Sequence, residues 1–171
     1  MGNLKIGDTV VHPLYGVGTL VSVQQQGDAG VTTDCYVIEL DRGKGRLLTP
    51  VDKAEEVGLR RPISKKQRAK LLKVLGGDPR RLPGGYPERR KKTTGVLRDG
   101  SFVDIGRVVR DLAWRASEGE ASTGDRRLLK RAEDLLAAEL AASDGIGEEE
   151  AMERIEAVVE QRVSKWQEQS Q

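Results

Sequence analysis

The chain changes its pattern at Arg60-Arg61-Pro62-Ile63-Ser64-Lys65-Lys66-Gln67. Before this stretch, short apolar runs alternate with turn residues, as in strands, and after it apolar residues recur at helical spacing. Ser64 and Gln67 have the spacing of a capping box, in which a hydroxyl and an amide satisfy free N–H groups of a new helix. The sequence therefore predicts a first domain at residues 1–60, a linker at 61–63 and a second domain at 64–165. A frayed tail is expected at residues 166–171.

The first domain has the pattern of a small all-β module. Its strand-like runs are separated by turn signals such as Pro13 and the stretch 26–30, and they cover residues 8–12, 17–23, 35–40 and 46–51. Four or five strands joined by connections of hairpin length predict an SH3-like antiparallel β-barrel or rolled sheet. A core of this size is marginal by itself, so support from the second domain or a partner is expected.

The second domain has the pattern of an all-α bundle of about five helices. The spacing of a capping box recurs at Ser101–Asp104 and at Ser122–Asp125, in each case before an apolar stripe. A second helix is expected from about Pro87 to Arg98, and a last one from Glu148, where acidic side chains favour a helix N-terminus. The predicted fold class is therefore α+β in two domains.

A net charge of +2 conceals a strongly basic block. Residues 60–92 contain 13 basic and 2 acidic residues, whereas both flanking regions are net acidic. Such a block can attract phosphates although the whole chain is nearly neutral.

Within this block, Gly84-Gly85-Tyr86-Pro87-Glu88-Arg89-Arg90-Lys91-Lys92-Thr93-Thr94 joins flexible backbone, one aromatic and four cations. We expect the cations to point outward beside Tyr86, while Thr93, Val96 and Leu97 turn inward. The candidate DNA-binding residues are Tyr86, Arg89, Arg90, Lys91 and Lys92. The residues alone leave open a solvated basic helix start, and a Tyr86 that only packs the connector between two helices.

The chain contains little that could carry catalysis. His12 is its one histidine and Cys35 its one cysteine, and no phosphate-cradling loop or metal-ligand spacing occurs. Cys35 fits a small buried apolar residue better than a nucleophile. No stretch reaches the length of a membrane span. We expect a soluble, cytoplasmic, monomeric protein without enzymatic activity, cofactor or metal.

A second candidate surface lies on the last predicted strand. The run Arg46-Leu47-Leu48-Thr49-Pro50 contains two adjacent aliphatic side chains, so one of them can face outward, and the strand edge can pair with a strand of another protein. The alternative is a strand that is covered on both faces.

The order of motifs resembles the CarD/CdnL family of bacterial transcription regulators, whose N-terminal module also occurs in the transcription-repair coupling factor. In the first domain the resemblance rests on Lys5–Pro13, Tyr15–Gly18, Thr49-Pro50 and Val57–Arg60. In the helical domain it rests on Arg89–Lys91, Ile105–Leu112, Asp125–Ala132 and Leu136–Leu140. Both domains are present in order, so the resemblance covers nearly the whole chain.

This resemblance implies a non-enzymatic regulator with a Tudor-like first domain that binds the β subunit of RNA polymerase, here through residues 46–50. The helical domain of the family contacts promoter DNA at the upstream edge of the transcription bubble, where a tryptophan wedges into the minor groove and basic neighbours hold the backbone. The implied effect is stabilisation of the open promoter complex. An adaptor that recruits another regulator to polymerase, and an architectural DNA binder, remain as alternatives.

Two departures from the family pattern affect these expectations. The wedge position is Tyr86, which is smaller than tryptophan and has a hydroxyl to satisfy, while Arg90 and Lys91 keep the charge. Positions where some members carry arginine on the polymerase side are Gln26 and Leu48, which leaves an apolar strand contact available.

Overall fold

The computed structural model describes residues 4–169 except Ala29, Arg42, Lys44, Pro83 and Gly84. The chain divides into two compact units, Met1–Pro62 and Ile63–Gln171. The first unit is a four-stranded antiparallel half-barrel and the second contains five α-helices, so the predicted α+β class is confirmed.

The half-barrel is a meander in which strands that are adjacent in sequence pair in space. Its order is β1-β2-β3-β4, with β1 at Thr9–His12, β2 at Gly16–Asp28, β3 at Val31–Leu40 and β4 at Arg46–Pro50. The hairpin of β2 and β3 is longer than predicted, because pairing continues to Asp28 and Val31. Gln24–Gln26 are polar and exposed. The sequence therefore lacks the apolar alternation that would have predicted strand structure in this part of the hairpin.

The hydrophobic cluster of the half-barrel lies on one face of the sheet, while Cys35 and Val37 are buried on the other face. Leu20, Ile38 and Leu47 are cross-strand partners in the pairings of β2 with β3 and of β3 with β4. Partners in register share a face, and this face packs against the 3₁₀ turn that follows β4 and against Leu59. The fully buried members of this core include Val10, Leu20 and Ile38.

The turn between β1 and β2 is closed by His12. Its side chain is buried, and Nδ1 accepts the backbone N–H groups of Leu14 at 3.1 Å and of Tyr15 at 3.4 Å. The Tyr15 ring lies 4.9 Å from the imidazole, centroid to centroid. Burial lowers the pKa of His12 below its usual value of 6.5, because the cation would lose hydration. The neutral ring, with Nδ1 as acceptor, is the form that fits this turn.

This geometry predicts an acid-sensitive contribution to stability. Because folding lowers the pKa of His12, the unfolded chain binds this proton more readily, and the contribution is lost as the pH falls from 6.5 through the lowered pKa. In His12→Asn, Oδ1 can accept the same two N–H groups without titrating. We expect the melting temperature of the variant to fall less than that of the wild type between about pH 7.5 and about pH 5.5. Equal falls would contradict this role for His12.

The helical unit begins directly at the domain junction. Its helices are α1 at Lys65–Leu75, α2 at Tyr86–Asp99, α3 at Phe102–Ser117, α4 at Thr123–Asp144 and α5 at Glu148–Gln169. The capping boxes predicted at Ser64, Ser101 and Ser122 are all formed. Helix α3 contacts α1, α2, α4 and α5, and the core among them includes Leu71, Val109, Leu136 and Ile155.

The residues predicted as a linker are held by the units on either side. The Arg61 guanidinium pairs with Asp8 at 2.7 Å. Ile63 is buried in the helical core, and its N–H donates to Oε1 of the buried Glu139 at 2.7 Å. The carbonyl of Ile63 accepts from the Ser143 hydroxyl at 2.8 Å. Arg61 and Ile63 are therefore each anchored to the unit that they belong to.

The end of α5 differs from the expected frayed tail. The helix continues to Gln169, and Trp166 is buried with the Arg162 guanidinium 5.4 Å from its ring centroid. Burial of this large indole explains why the last turns remain helical. Ser170 and Gln171 lie outside the described residues.

Candidate nucleic-acid interface

One side of α2 forms an open groove of about 590 Å³ with a basic lining. The residues that line it share one helical stripe, since they recur at intervals of three to four positions. They are Tyr86, Pro87, Arg90, Lys91, Thr94, Gly95 and Arg98. Three of these residues are cations, and none of the described residues that line the groove is acidic. The groove thus combines an aromatic ring at one end with positive charge along its length.

Arg89 lies on the opposite side of α2 and is buried. It falls on the same stripe as Thr93 and Leu97, which face the core. Its guanidinium donates to the Asp125 carboxylate, with Nη2 at 3.0 Å and Nε at 3.3 Å. The prediction that the basic side chains of α2 all point outward is therefore wrong for Arg89. The spacing of Arg89, Thr93 and Leu97 in the sequence is the signal that could have shown this.

Asp125 is the centre of a buried polar cluster at the start of α4. Its carboxylate accepts the N–H of Ser122 at 3.0 Å and the Ser122 hydroxyl at 2.9 Å, besides the contacts from Arg89. The Arg115 side chain approaches it to 3.6 Å. Burial by itself would raise the pKa of Asp125, but the hydrogen bonds from Arg89 and Ser122 outweigh it and lower that pKa. The Asp125 carboxylate at the start of α4 therefore binds Arg89 of α2 and joins the two helices.

The ring of Tyr86 rests on this same helix start. Gly124 lies directly under the phenol ring, and a methyl group added at Gly124 would overlap the ring and its hydroxyl. Tyr86 is half-buried, so one part of the ring packs on α4 while another part lines the groove. The position of the aromatic is thus set by the absence of a side chain at residue 124.

The segment before Tyr86 is anchored to the other helices. Asp78 forms an ion pair with Arg162 of α5, and the N–H of Arg80 donates to Asp111 of α3 at 2.9 Å. The side chains of Arg80 and Arg81 are exposed. Gly84, which the sequence suggested as a source of backbone freedom here, lies outside the described residues.

The remaining basic residues of the block are distributed over more than one surface. Lys92 is exposed on α2 but does not line the groove. Helix α1 carries exposed cations at Lys65, Lys66, Lys70 and Lys73, and it packs on α3 and α5, whereas α2 packs on α4 and α3. Of the five candidate residues from the sequence, the structure therefore groups Tyr86, Arg90 and Lys91, and it adds Arg98.

The predicted polymerase-binding strand is β4, at the end of the sheet order. Leu47 and Thr49 face the core side, where Leu47 packs on the core and Thr49 is buried. Arg46 and Leu48 are exposed, with Leu48 at 40%. Pro50 is half-buried. Leu48 is therefore the aliphatic side chain of this strand that a partner can reach.

The two units present different surfaces. Among the described residues, the large apolar side chains that are exposed all belong to the first unit, and they are Ile6, Leu14, Tyr15, Val23, Val31, Leu48, Val51 and Val57. Scattered apolar groups are normal on a surface, but their restriction to one unit favours protein contact there. The helical unit presents charge instead.

The described residues show little sign of a metal site, a reactive thiol or a membrane span. No group of three or more histidine, cysteine, aspartate or glutamate side chains could hold a metal ion there. Cys35 is a buried free thiol. None of the helices of this part of the chain has the length and apolar character needed to cross a membrane.

Comparison with known proteins identifies both halves of the chain. Residues 4–63 match the CarD-like/TRCF RID domain, and residues 70–156 match the family described as CarD, C-terminal domain. A protein of Bacillus subtilis (strain 168) named "Putative transcription factor YdeB" is 25% identical over 149 residues, which cover 85% of this chain and 95% of that protein. The first domain is accordingly Tudor-like. With both domains in this order, the chain belongs to the CarD-like family of transcription factors.

Proposed function

We propose that this transcription regulator binds the β subunit of RNA polymerase through β4 and stabilises the open promoter complex through the groove of α2. The observation that carries the proposal is the grouping of Tyr86, Arg90, Lys91 and Arg98 on one open face. The family is of a transcription-factor type and is generally non-enzymatic, and its first domain implies interaction with RNA polymerase.

The groove has the chemistry for DNA at the edge of a melted region. Arg90, Lys91 and Arg98 can neutralise phosphates and release condensed counterions, which gives salt-sensitive affinity with little base preference. An aromatic side chain can stack on or wedge against an opened base step, and Tyr86 stands at one end of the cation stripe. A protein that binds melted DNA better than closed duplex shifts the equilibrium towards the open complex.

The experiment that tests this proposal is a comparison of open-complex lifetime with and without the purified protein. Preformed complexes of polymerase and promoter are challenged with a competitor, and the fraction that remains open is followed over time. We expect the protein to prolong the lifetime and to protect the upstream edge of the bubble in a footprint. An unchanged lifetime and footprint, with the protein bound to polymerase, would reject the proposal.

The proposed contact of β4 with polymerase, here called the tether, depends on Leu48. A glutamate at residue 48 would place a charge in an apolar contact, so we expect Leu48→Glu to weaken binding to the β subunit at least about tenfold. Because Leu48 is exposed, the half-barrel should remain folded. Leu47→Glu is unsuitable, since Leu47 packs on the core.

Val31→Glu is the matched control for Leu48→Glu. Val31 is another exposed aliphatic residue of the same unit, and it pairs with Asp28 at the far end of β3, beyond the residues that pair with β4. Binding to the immobilised β subunit should survive this change. Equal losses in both variants, or full binding by Leu48→Glu, would exclude β4 as the tether.

An adaptor function is the second candidate. It is favoured by Leu14, 83% exposed, and Tyr15, 53% exposed, which lie on the β1–β2 turn and not on β4. In an adaptor these side chains would receive another regulator while β4 holds polymerase. Polymerase binding without any DNA footprint would favour this function over the first.

A further inference from the structure

The backbone is held by the half-barrel as far as Arg61. The N–H of Arg60 donates to the carbonyl of Val11 at 3.1 Å, and the carbonyl of Arg60 accepts the N–H of Val11 at 2.7 Å. The Arg60 guanidinium also donates to the carbonyl of Arg61 at 3.0 Å. The Arg61 guanidinium in turn contacts the Asp8 carboxylate, with Nη2 at 2.7 Å and Nε at 3.1 Å. These contacts orient Arg60 and restrain the carbonyl that precedes Pro62.

The helical unit holds the chain from Ile63 onward. The N–H of Ile63 donates to the buried Glu139, the carbonyl of Ile63 accepts from Ser143, and the Ile63 side chain is buried. Ser64 follows as the N-cap of α1, with both hydrogen bonds of its capping box formed. The peptide group between Pro62 and Ile63 is therefore fixed to the second unit, and Pro62 lies between the two sets of contacts.

Few backbone rotations remain at this joint. They are φ and ψ of Arg61 and of Pro62, since each peptide group is itself planar. The pyrrolidine ring fixes φ of Pro62 at about −65°, and the same ring confines ψ of Arg61 to extended values. Rotation of one unit against the other is thus left mainly to φ of Arg61 and ψ of Pro62. A glycine at residue 62 would release both of the angles that the ring restrains.

From these contacts we infer that Pro62 is a single-residue hinge whose ring limits the motion of the helical unit relative to the half-barrel. The functional part of the inference rests on the proposed function, in which β4 holds polymerase while α2 holds DNA. The joint must become ordered when both partners are bound, and a stiff joint loses less conformational entropy in this step than a flexible one. The ring of Pro62 therefore raises the effective concentration of the groove at the DNA once polymerase is bound.

The first test measures the motion itself and needs neither polymerase nor DNA. Backbone amide NMR relaxation of the full chain gives a rotational correlation time for each unit. In the wild type we expect nearly equal correlation times. In Pro62→Gly they should become shorter and differ, while the chemical shifts show that both units remain folded. Correlation times in Pro62→Gly that equal those of the wild type would overturn the inference, as would a wild type whose units already tumble independently.

Pro79→Gly is the matched control for Pro62→Gly. Pro79 also lies between two anchored residues, namely the ion-paired Asp78 and Arg80, whose N–H is hydrogen-bonded to α3, but all of these contacts lie within the helical unit. The same substitution there should leave both correlation times unchanged. If Pro79→Gly changed the motion as much as Pro62→Gly does, the hinge would not be at Pro62.

The second test connects the hinge with the open complex. Pro62→Gly, and a variant with two glycines inserted after Pro62, should bind the isolated β subunit and a promoter duplex with a mismatched bubble as the wild type does, because neither surface is altered. The insertion should reduce the prolongation of open-complex lifetime by about fivefold or more, since each added free residue must be ordered, and Pro62→Gly should reduce it less. Wild-type lifetimes in both variants would overturn the functional part of the inference.

Failure of the hinge and failure of the proposed function give different results. If the wild type does not prolong the open complex, the proposed function fails, while the correlation times still report whether Pro62 restrains the joint. If the wild type prolongs the open complex and Pro62→Gly has the correlation times of the wild type, the hinge alone is rejected.

Discussion

Replacing Tyr86 by alanine should shorten the lifetime of the protein-stabilised open promoter complex by about tenfold or more, since stacking of an aromatic ring on a base contributes about 1–3 kcal/mol. The ring lines the end of the groove, and one part of it is available to DNA. Polymerase binding should be unchanged, because the predicted tether lies in the other unit. The measurement is open-complex decay in the presence of each variant at equal polymerase occupancy.

The controls for Tyr86→Ala separate stacking from hydrogen bonding and from folding. Tyr86→Phe keeps the ring and should retain most of the effect, and a full loss in this variant would show that the hydroxyl, and not stacking, provides the contact. Parallel loss of polymerase binding in Tyr86→Ala would indicate misfolding, and an unchanged lifetime would show that Tyr86 does not hold the DNA.

Gly124→Ala provides a control for how the ring is positioned. In the wild-type background the added methyl group collides with the ring, so we expect a lower melting temperature and a weaker effect on the open complex. In the Tyr86→Ala background the collision is absent, and the higher helix propensity of alanine should raise the melting temperature. A double-mutant cycle in which the two changes in melting temperature are additive would contradict the packing of Tyr86 on Gly124.

Replacing Arg89 by alanine should destabilise the helical unit by about 2–4 kcal/mol, because the buried Asp125 carboxylate loses two charge-assisted hydrogen bonds and keeps only Ser122 and the more distant Arg115 as partners. Arg89 is 7% exposed and Asp125 is 1% exposed, and the contact between them joins α2 to α4. The loss should appear as a lower free energy of unfolding in urea, monitored by helical circular dichroism.

Arg90→Ala is the matched control, since it removes the same side chain from the next residue. Arg90 is exposed and lines the groove, so this change should weaken DNA binding while leaving the free energy of unfolding within about 0.5 kcal/mol of the wild type. If Arg89→Ala were as stable as Arg90→Ala, the buried pair would not hold α2 in place.

Local signals in the sequence predicted most of the architecture. The hydroxyl and acid or amide pairs at Ser64, Ser101 and Ser122 marked three helix starts, because capping is a short-range interaction. The longer β2–β3 hairpin was missed, since its exposed polar residues carry no apolar alternation. Fraying was predicted for residues 166–171, but the helix continues to Gln169, because burial of the Trp166 side chain depends on packing and not on local composition.

The groove could be predicted only in part. Arg89 and Arg90 carry the same charge, but successive residues of a helix point in directions about 100° apart. Only the helical spacing of Arg89 with the buried Thr93 and Leu97 shows that Arg89, and not Arg90, faces the core. The contact of Tyr86 with Gly124 joins distant parts of the chain, so no local pattern indicates it. Tertiary packing thus decides which members of the basic block form the groove.

The most direct test of the central claim is a photocrosslink from residue 86. A benzoylphenylalanine at this position keeps an aromatic group on α2 and reports what lies next to it in a complex of polymerase with an opened promoter. We predict a crosslink to DNA at the upstream edge of the bubble, which requires polymerase and is lost in the Leu48→Glu variant. A polymerase-bound protein whose residue 86 crosslinks to protein alone would contradict the proposed DNA contact.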